Sequence, residues 1–390
     1  MEIYDIIHGT INIDDSACKI IDTIEFQRLR NIKQLGCCNY VFPSATHTRF
    51  EHSLGVYHLA CKYIDILNKK DDSFDENTIK LVTTAALIHD LGHGPYSHLF
   101  DEIVDSGKKH EDRSLEIFKV MNTKYHLNYS EDDMNQIEIM LNPSKFKGQI
   151  SEEKKYMYQI VSNSNGIDVD RFDYIMRDIK MTGLNYGIEY ERIMLNSQII
   201  DGEIVYSEKV KTNIEDFFRI RFIMYKDVYN HHTVRGIEFM VKDYIEIYIN
   251  EVIGELSFDD DYSEFLQLND SIIDIVSHWD IWNPKNYDEN DKDIKQMKKI
   301  IDNIKTRKLY KCVGDIITDS NIEIDNYDKD NIIIDTIKLS FYGKEKCKYI
   351  KHRSIDKTIR IKNNDKYITS IYYKSLEYKE EAEKILEAFI

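Results

Sequence analysis

The sequence predicts a mainly α fold, with a helical core over residues 1–300 and a smaller α+β lobe over residues 301–390. Three observations predict it. Apolar residues recur at helical spacing through the first three-fifths of the chain. Only four prolines interrupt 390 residues. From about residue 320 the texture changes to short β-type runs separated by turn residues. A hydrophobic content of 42% with 12% aromatics is enough to fill a core of this size, which excludes a disordered chain.

Taken in order, Asp22-Thr-Ile-Glu25 reads as a capping box, and Ile24, Leu29, Ile32 and Leu35 follow at helical spacing up to Gly36. A loop at Pro43-Ser44 precedes a second helix carrying Phe50, Leu54, Tyr57, Cys61, Ile64 and Leu67 on one stripe. A third runs from about Asn77 to Leu91, with Leu81, Ala85 and Ile88 inward, and breaks at Gly92, Gly94 and Pro95. A long helical pattern spans Asn213 to about Ile253. Beyond it, 331–339, 358–362 and 367–373 read as strands, followed by a final helix from about Tyr378. The runs 69–72, 259–261 and 286–291 read as solvated loops, and no internal repeat is present.

A net charge of -17 argues against bulk binding to a phosphate backbone, so nucleic-acid binding is not expected. It leaves phosphorylated small molecules open, provided that cations gather in one cleft. No charged segment leads into an apolar run at the N-terminus, and no apolar run reaches spanning length, so a soluble intracellular protein, cytoplasmic or nuclear, is expected. Six cysteines without CxxC spacing read as reduced thiols.

The chemistry gathers at His89-Asp90, which ends an apolar helix just before a glycine-rich break. A charged pair beside such a stripe is costly unless paired or ligated. Alone, it would read as a capped helix end. However, His93, His98 and His110 follow closely, and seven of the thirteen histidines fall between His47 and His110. Imidazoles with carboxylates suit Fe, Mn, Zn or Co, leaving positions open for water and phosphate, with Mg as an accompanying ion. Such a metal acidifies bound water and polarises a phosphoryl oxygen, which is phosphohydrolase chemistry.

Four long motifs carry a specific resemblance: Phe26-Gln-Arg-Leu-Arg-Asn-Ile-Lys-Gln-Leu-Gly36, the stretch Tyr40 to Val56, His89-Asp-Leu-Gly-His-Gly-Pro-Tyr-Ser-His98, and Asn165-Gly-Ile-Asp-Val-Asp-Arg-Phe-Asp-Tyr174. In this order they resemble the HD-domain deoxynucleoside triphosphate triphosphohydrolases, strongly from about residue 5 to 235 and weakly beyond. Within that family the chain is similar to the nucleotide-regulated enzymes that in vertebrates add a sterile-alpha-motif domain. That domain is not expected here, because the catalytic core would begin within the first few residues.

The resemblance implies an HD-domain helical core with His52, His89, Asp90 and Asp170 as metal ligands. It implies His98 as general acid for the leaving 5' oxygen, with Asp101 orienting it, and His93, His110 and Glu111 as supporting or phosphate-facing residues. Arg49, Arg171 and Arg221 match phosphate contacts; the family usually has Lys where Arg171 stands, so a point donor becomes a planar fork. Gln34, Leu35, Tyr174 and Asp178 match sugar recognition, with Leu35 placed where a ribose 2'-hydroxyl would clash. Tyr225 and Tyr229 recur with Arg221 every four residues, hence on one helical face; Tyr225 stands where the family has a substrate-facing His.

For regulation, Asp22, Gln27, Arg30, Arg307 and Lys311 match residues that hold an activating guanine nucleotide, GTP or dGTP, in a homo-oligomer, dimer or tetramer. Met1 and Tyr4 replace a Lys and an Asn of that pattern, and Asp22 and Arg30 also read as a helix cap and a surface cation. The implied reaction is metal-dependent hydrolysis of a dNTP to deoxynucleoside and inorganic triphosphate. Two alternatives stay open at the level of the residues: an HD phosphohydrolase for a monophosphate or signalling nucleotide, and a nucleotide or single-strand binding module.

Overall fold

The computed structural model describes residues 1–71, 73–104, 107–146, 148, 150–254, 258, 261–278, 291–340, 348–351, 354–358 and 366–389. A hairpin of β1 (Glu2–Asp5) and β2 (Gly9–Asn12) opens the chain. The Asp14 carboxylate caps α1 (Asp15–Ile21) by accepting from the Ala17 N–H, and the Thr23 hydroxyl caps α2 (Ile24–Gln27).

The single helix expected from Asp22 to Leu35 is broken. Asp22 closes α1, Thr23 starts α2, and α2 tightens into a 3-10 turn at Arg28–Asn31 before the backbone extends at Ile32. Tertiary bonds capture the backbone that a helix would have used. Gln34 N–H donates to the His47 carbonyl (3.0 Å), Arg49 N–H to the Ile32 carbonyl (2.9 Å), and Lys33 N–H to the Asp270 carboxylate (3.0 Å).

The body is then helical: α3 (Arg49–Asp71), α4 (Glu76–Ile88), α5 (His98–Ile103), α6 (His110–Lys124), α7 (Glu131–Leu141), α8 (Lys155–Val161), α9 (Val169–Thr182) and α10 (Tyr190–Leu195). The predicted stripe on α3 is buried except for Cys61, which is partly exposed. α3 also continues through Lys69, Lys70 and Asp71, where a loop was expected. α4 starts one residue before the predicted Asn77, capped by Asp75 accepting from Thr78 N–H.

The long helix expected over 213–253 is two helices, α11 (Lys211–Met224) and α12 (His232–Tyr248), with π turns at Tyr225–Tyr229 and Ile249–Ile253. The break lies at Asn230. Its side-chain amide takes the Tyr225 carbonyl (2.7 Å), a short polar group competing with the backbone. The His231 ring then caps α12 by accepting from Thr233 N–H.

α13 (Ile272–Ser277) and α14 (Lys292–Lys305) complete the body, and Met297, Ile300, Ile301 and Ile304 of α14 join its core. Asp259, Asp260, 286–290 and 359–362 lie outside the described residues, while Asp291 caps α14.

β3 (Ser197–Ile200) pairs antiparallel with β4 (Glu203–Ser207), which continues in parallel to β7 (Lys348–Lys351) and so to β8 (Ser354–Thr358). A second, antiparallel sheet places β9 (Lys366–Tyr373) between β5 (Lys311–Thr318) and β6 (Ile332–Leu339). With α15 (Lys379–Glu387), this sheet builds its own small core of Ile316, Ile332, Ile371, Tyr373 and Ala382. Mainly α with a smaller α+β part is thus the observed class. Among the described residues no helix is long and apolar enough to cross a membrane, and the described cysteines are free.

Within the body, α3 and α9 approach so closely at Gly55 that a Cβ there would stand 1.9 Å from an Asp173 carboxylate oxygen. Only hydrogen fits between these two helices.

Candidate active site

Three helices deliver the central cluster. The first turn of α3 carries Arg49 and His52, His89-Asp90 closes α4, and the first turn of α9 carries Asp170. All four expected metal ligands meet. His52 Nε2 lies 3.2 Å from Asp170 and 3.6 Å from Asp90, and His89 Nε2 lies 3.4 Å from Asp90 and 3.6 Å from Asp170.

The imidazoles are locked from behind. His52 Nδ1 donates to Asp173 (2.7 Å), and His89 Nδ1 donates to the Ala86 carbonyl (2.9 Å). Each Nε2 therefore presents a lone pair, and the two Nε2 atoms face each other at 3.2 Å. Two lone pairs and two carboxylates converging without a donor are repulsive unless a proton or cation lies between them. Metal–ligand bonds of roughly 2.0–2.2 Å place adjacent ligands about 3.0–3.5 Å apart. The donor set and its spacing fit a divalent cation. Without one, burial lowers the His52 pKa, but bonds to Asp170 and Asp173 outweigh it and hold the imidazole up at about 10; a cation displaces that proton.

Asp173 is the residue that sequence reasoning missed. It lies three positions after Asp170 on α9, fully buried, and it binds more than His52. His8 Nε2 of the N-terminal loop meets its other oxygen at 2.7 Å, and Arg177, one turn later, donates to both oxygens at 2.9 Å while also reaching Asp5. The spacing Asp170, Asp173, Arg177 on one helical face was a visible signal for it.

Arg49 donates to Asp90 (2.5 Å) and to the Ser97 hydroxyl (2.8 Å). Burial raises the Asp90 pKa, but the charges of Arg49, His89 and His93 hold this carboxyl well below the usual range. Ser97 has φ +61 and Tyr96 φ +58, left-handed values that cost free energy. They persist because Ser97 Oγ donates to the Lys33 carbonyl (2.7 Å) and Tyr96 N–H to Asp270 (2.7 Å). Asp270, also not foreseen, thereby ties the 32–34 stretch to the loop that presents His98.

Beside the first cluster stands a second. His93 and His110 stack at 3.9 Å, and both meet His98 edge-on, at 4.9 and 5.3 Å. Here one expectation fails in detail. Asp101 does not hold His98: it accepts from His110 Nδ1 (3.1 Å) and from Arg113, while His98 makes no hydrogen bond among the described residues. The His98 side chain is exposed to solvent at the mouth of this cluster, and the surrounding protein, then the charges of Arg49 and His110, lower its pKa. Gly92 N–H bonds Ser114, and any side chain at Gly92 would strike the His110 carbonyl, so the start of α6 is pressed against the HD turn. Glu111 Oε2 is buried without a hydrogen-bond partner.

On the sugar side, the two Asp178 oxygens are taken by His47 Nε2 (2.7 Å) and the Tyr229 hydroxyl (2.6 Å). The Tyr174 ring lies 6.4 Å from that of His52. Gln34 Oε1 is buried with no partner, and Leu35 packs on the core edge. Arg171 is tied to the Asp168 cap. Arg221 lies in the last turn of α11 and Tyr225 and Tyr229 in the π turn that follows, and both Arg221 and Tyr229 interact with Tyr174. Gln27 and Arg30 touch (2.7 Å), and Arg307 donates to the Tyr40 carbonyl (3.0 Å). Among the described residues no hydrogen bond or ion pair joins Arg307 or Lys311 to Asp22, Gln27 or Arg30.

The HD domain family matches residues 49–178, beginning at Arg49 and ending at Asp178. The chain is 36% identical over 331 residues to the deoxynucleoside triphosphate triphosphohydrolase SAMHD1 homolog of Dictyostelium discoideum, covering 82% of this chain and 61% of that protein. It is 38% identical over 341 residues to the putative HD domain-containing protein L394 of Acanthamoeba polyphaga mimivirus, covering 80% and 72%. To the deoxynucleoside triphosphate triphosphohydrolase SAMHD1 of Homo sapiens it is 33% identical over 377 residues, covering 85% and 57%. The chain thus spans less than two thirds of the slime-mould and human relatives.

Proposed function

We propose, proceeding from the fact that this chain belongs to the HD-domain family, that it hydrolyses deoxynucleoside triphosphates to a deoxynucleoside and inorganic triphosphate. The observation that carries the reading is the pair of imidazole lone pairs facing each other at 3.2 Å, flanked by Asp90 and Asp170. His52, His89, Asp90 and Asp170 would hold a divalent cation, Fe, Mn, Zn or Co, with Mg as an accompanying ion. Bound there, the cation supplies an acidified water and polarises a phosphoryl oxygen.

The chain's own residues do the rest. Arg49, fixed by Asp90 and Ser97, meets charge developing on the phosphate without reorganising. Arg171 and Arg221 extend that cationic wall. His98, whose side chain makes no hydrogen bond among the described residues, passes a proton to the 5' oxygen. His93, His110 and Glu111 line the same side. The unpartnered Gln34 Oε1 accepts from a sugar hydroxyl, Leu35 excludes the 2' position, and Tyr174, Asp178, Tyr225 and Tyr229 bound the sugar and base.

For regulation, Asp22, Gln27, Arg30, Arg307 and Lys311 would hold a guanine nucleotide, GTP or dGTP. Two groups without a bond between them inside one chain fit a site completed between copies, a dimer or tetramer.

The test incubates the protein with each dNTP, with and without GTP, across metals, and separates products by anion exchange. Metal-dependent inorganic triphosphate is expected. Release of phosphate or pyrophosphate, or single-strand binding with no turnover, would overturn the proposal.

A further inference from the structure

Away from the candidate active site, the fold draws one more set of donors together. His232 opens α12, and Cys312 and Asp315 lie on β5. Residues three apart on a regular strand point to opposite faces, so these two should diverge. They do not, because the pairing of β5 with β9 slips between Cys312, opposite Tyr372, and Gly314, opposite Ile371. Val313 is the extra residue of a bulge that returns Asp315 to the face of Cys312.

Asp315 is held on both oxygens: Oδ1 accepts from the Ser370 hydroxyl (2.7 Å), and Oδ2 meets His232 Nε2 (2.9 Å). Cys312 Sγ lies 3.9 Å from Asp315 Oδ1 and 3.4 Å from the Gly314 carbonyl. One donor atom from each of the three residues falls within 4.8 Å of the others.

We propose that His232, Cys312 and Asp315 form a second metal site, for a divalent cation of the zinc class. A thiolate, an imidazole and a carboxylate make three protein ligands and leave the fourth position to water. Bonds of roughly 2.0–2.3 Å set donors about 3.3–3.7 Å apart in a tetrahedron; His232 stands 2.9 Å from Asp315 Oδ2 and Cys312 3.9 Å from Oδ1, so small side-chain rotations within the 4.8 Å cluster reach that spacing. The sulfur ligand selects against Mg and Ca, which take oxygen shells.

Ser370 supplies the outer bond that orients a ligating carboxylate. The Asp315 charge draws the cation in, and binding displaces the Cys312 thiol proton. The Lys226 charge acts against it. An ion here ties the first turn of α12, just after the turn that delivers Tyr229, to the C-terminal sheet. This proposal does not rest on the proposed activity.

The experiment uses the whole chain, stripped with chelator and titrated with Co(II). The HD cluster contains no sulfur, so only a cysteine-bound ion gives a thiolate-to-cobalt charge-transfer band in the near ultraviolet. The wild type is expected to develop that band over one equivalent. C312S is expected to lose both the band and that equivalent while leaving triphosphate release unchanged. H232A, a change at an exposed side chain, is expected to weaken the band's cobalt affinity by about tenfold or more and supports the reading even where C312S fails to fold. Absence of the band in the wild type, or its persistence in C312S, would overturn the proposal.

Discussion

Two histidine–carboxylate clusters lie side by side, built from the same residue types, yet they hold their imidazoles differently. In the first, both Nδ1 atoms are committed, His52 to Asp173 and His89 to the Ala86 carbonyl, so both Nε2 atoms are aimed into the cluster, where a cation can displace the proton that His52 otherwise holds. In the second, His110 Nδ1 bonds Asp101 and His93 Nε2 lies 3.3 Å from Asp90, while the His98 side chain makes no hydrogen bond among the described residues. The consequence is opposite in sign: the pKa of His52 is held up at about 10, and that of His98 is lowered. Residue type nominates a histidine for chemistry. Its outer partner decides whether it binds a cation or keeps a proton in transit.

The sharpest way to break this comparison is to remove the first cluster. H89A with D90A is expected to abolish metal binding and cut triphosphate release by about 10⁴-fold or more. Metal analysis and product assay read both, and turnover surviving without metal would sink the assignment. Next, H98A is expected to lower kcat by about 10²–10³-fold with metal content unchanged. If metal is lost in parallel, the two clusters are one unit and the contrast collapses. D173N should act on the first cluster alone, weakening metal affinity by about 10–100-fold with activity recovered at excess metal; equilibrium dialysis against activity titration measures it.

The smallest effect concerns a carboxylate outside both clusters. Burial pushes the Glu238 pKa from 4.5 up to about 7, although Arg235 pulls the other way. A raised acid favours folding below its unfolded value and loses that contribution as pH rises through the folded value. E238Q is therefore expected to melt about 1–3 °C higher than wild type at pH 8 and equally at pH 4.5, by thermal scans. A gap independent of pH would show that Arg235, and not burial, governs this group.

Much of the α-helical body was legible because its signals are local. α4 starts within one residue of the predicted Asn77, and the α3 stripe is buried almost as its spacing demands. What was not legible depends on distant partners. The 22–35 helix failed because the backbone of 32–34 bonds to 47–49 and Asp270. The π turn at Tyr225–Tyr229 was not legible because it has no simple periodic signature.

In the site, His52, His89, Asp90 and Asp170 stood in recognisable strings, and the structure brings them together. Asp173 and Arg177 had a signal in their spacing after Asp170, but the partnership with His8 did not, since it joins residues 165 positions apart. The Asp101–His98 pairing misled for the converse reason: Arg113, twelve residues away, competes for the same carboxylate.

Gly55 gives the first cluster a manufacturing tolerance. The 3.2 Å gap between the tips of His52 and His89, and the reach of Asp170 toward both, are set by how near α9 lies to α3. That separation is fixed by one missing carbon, since a methyl at position 55 would overlap Asp173. Adding it would shift a helix rather than a ligand. Every donor would keep its identity while the span between them outgrew a single ion. The precision of this centre is therefore held where there is no side chain, in a clearance that leaves no slack.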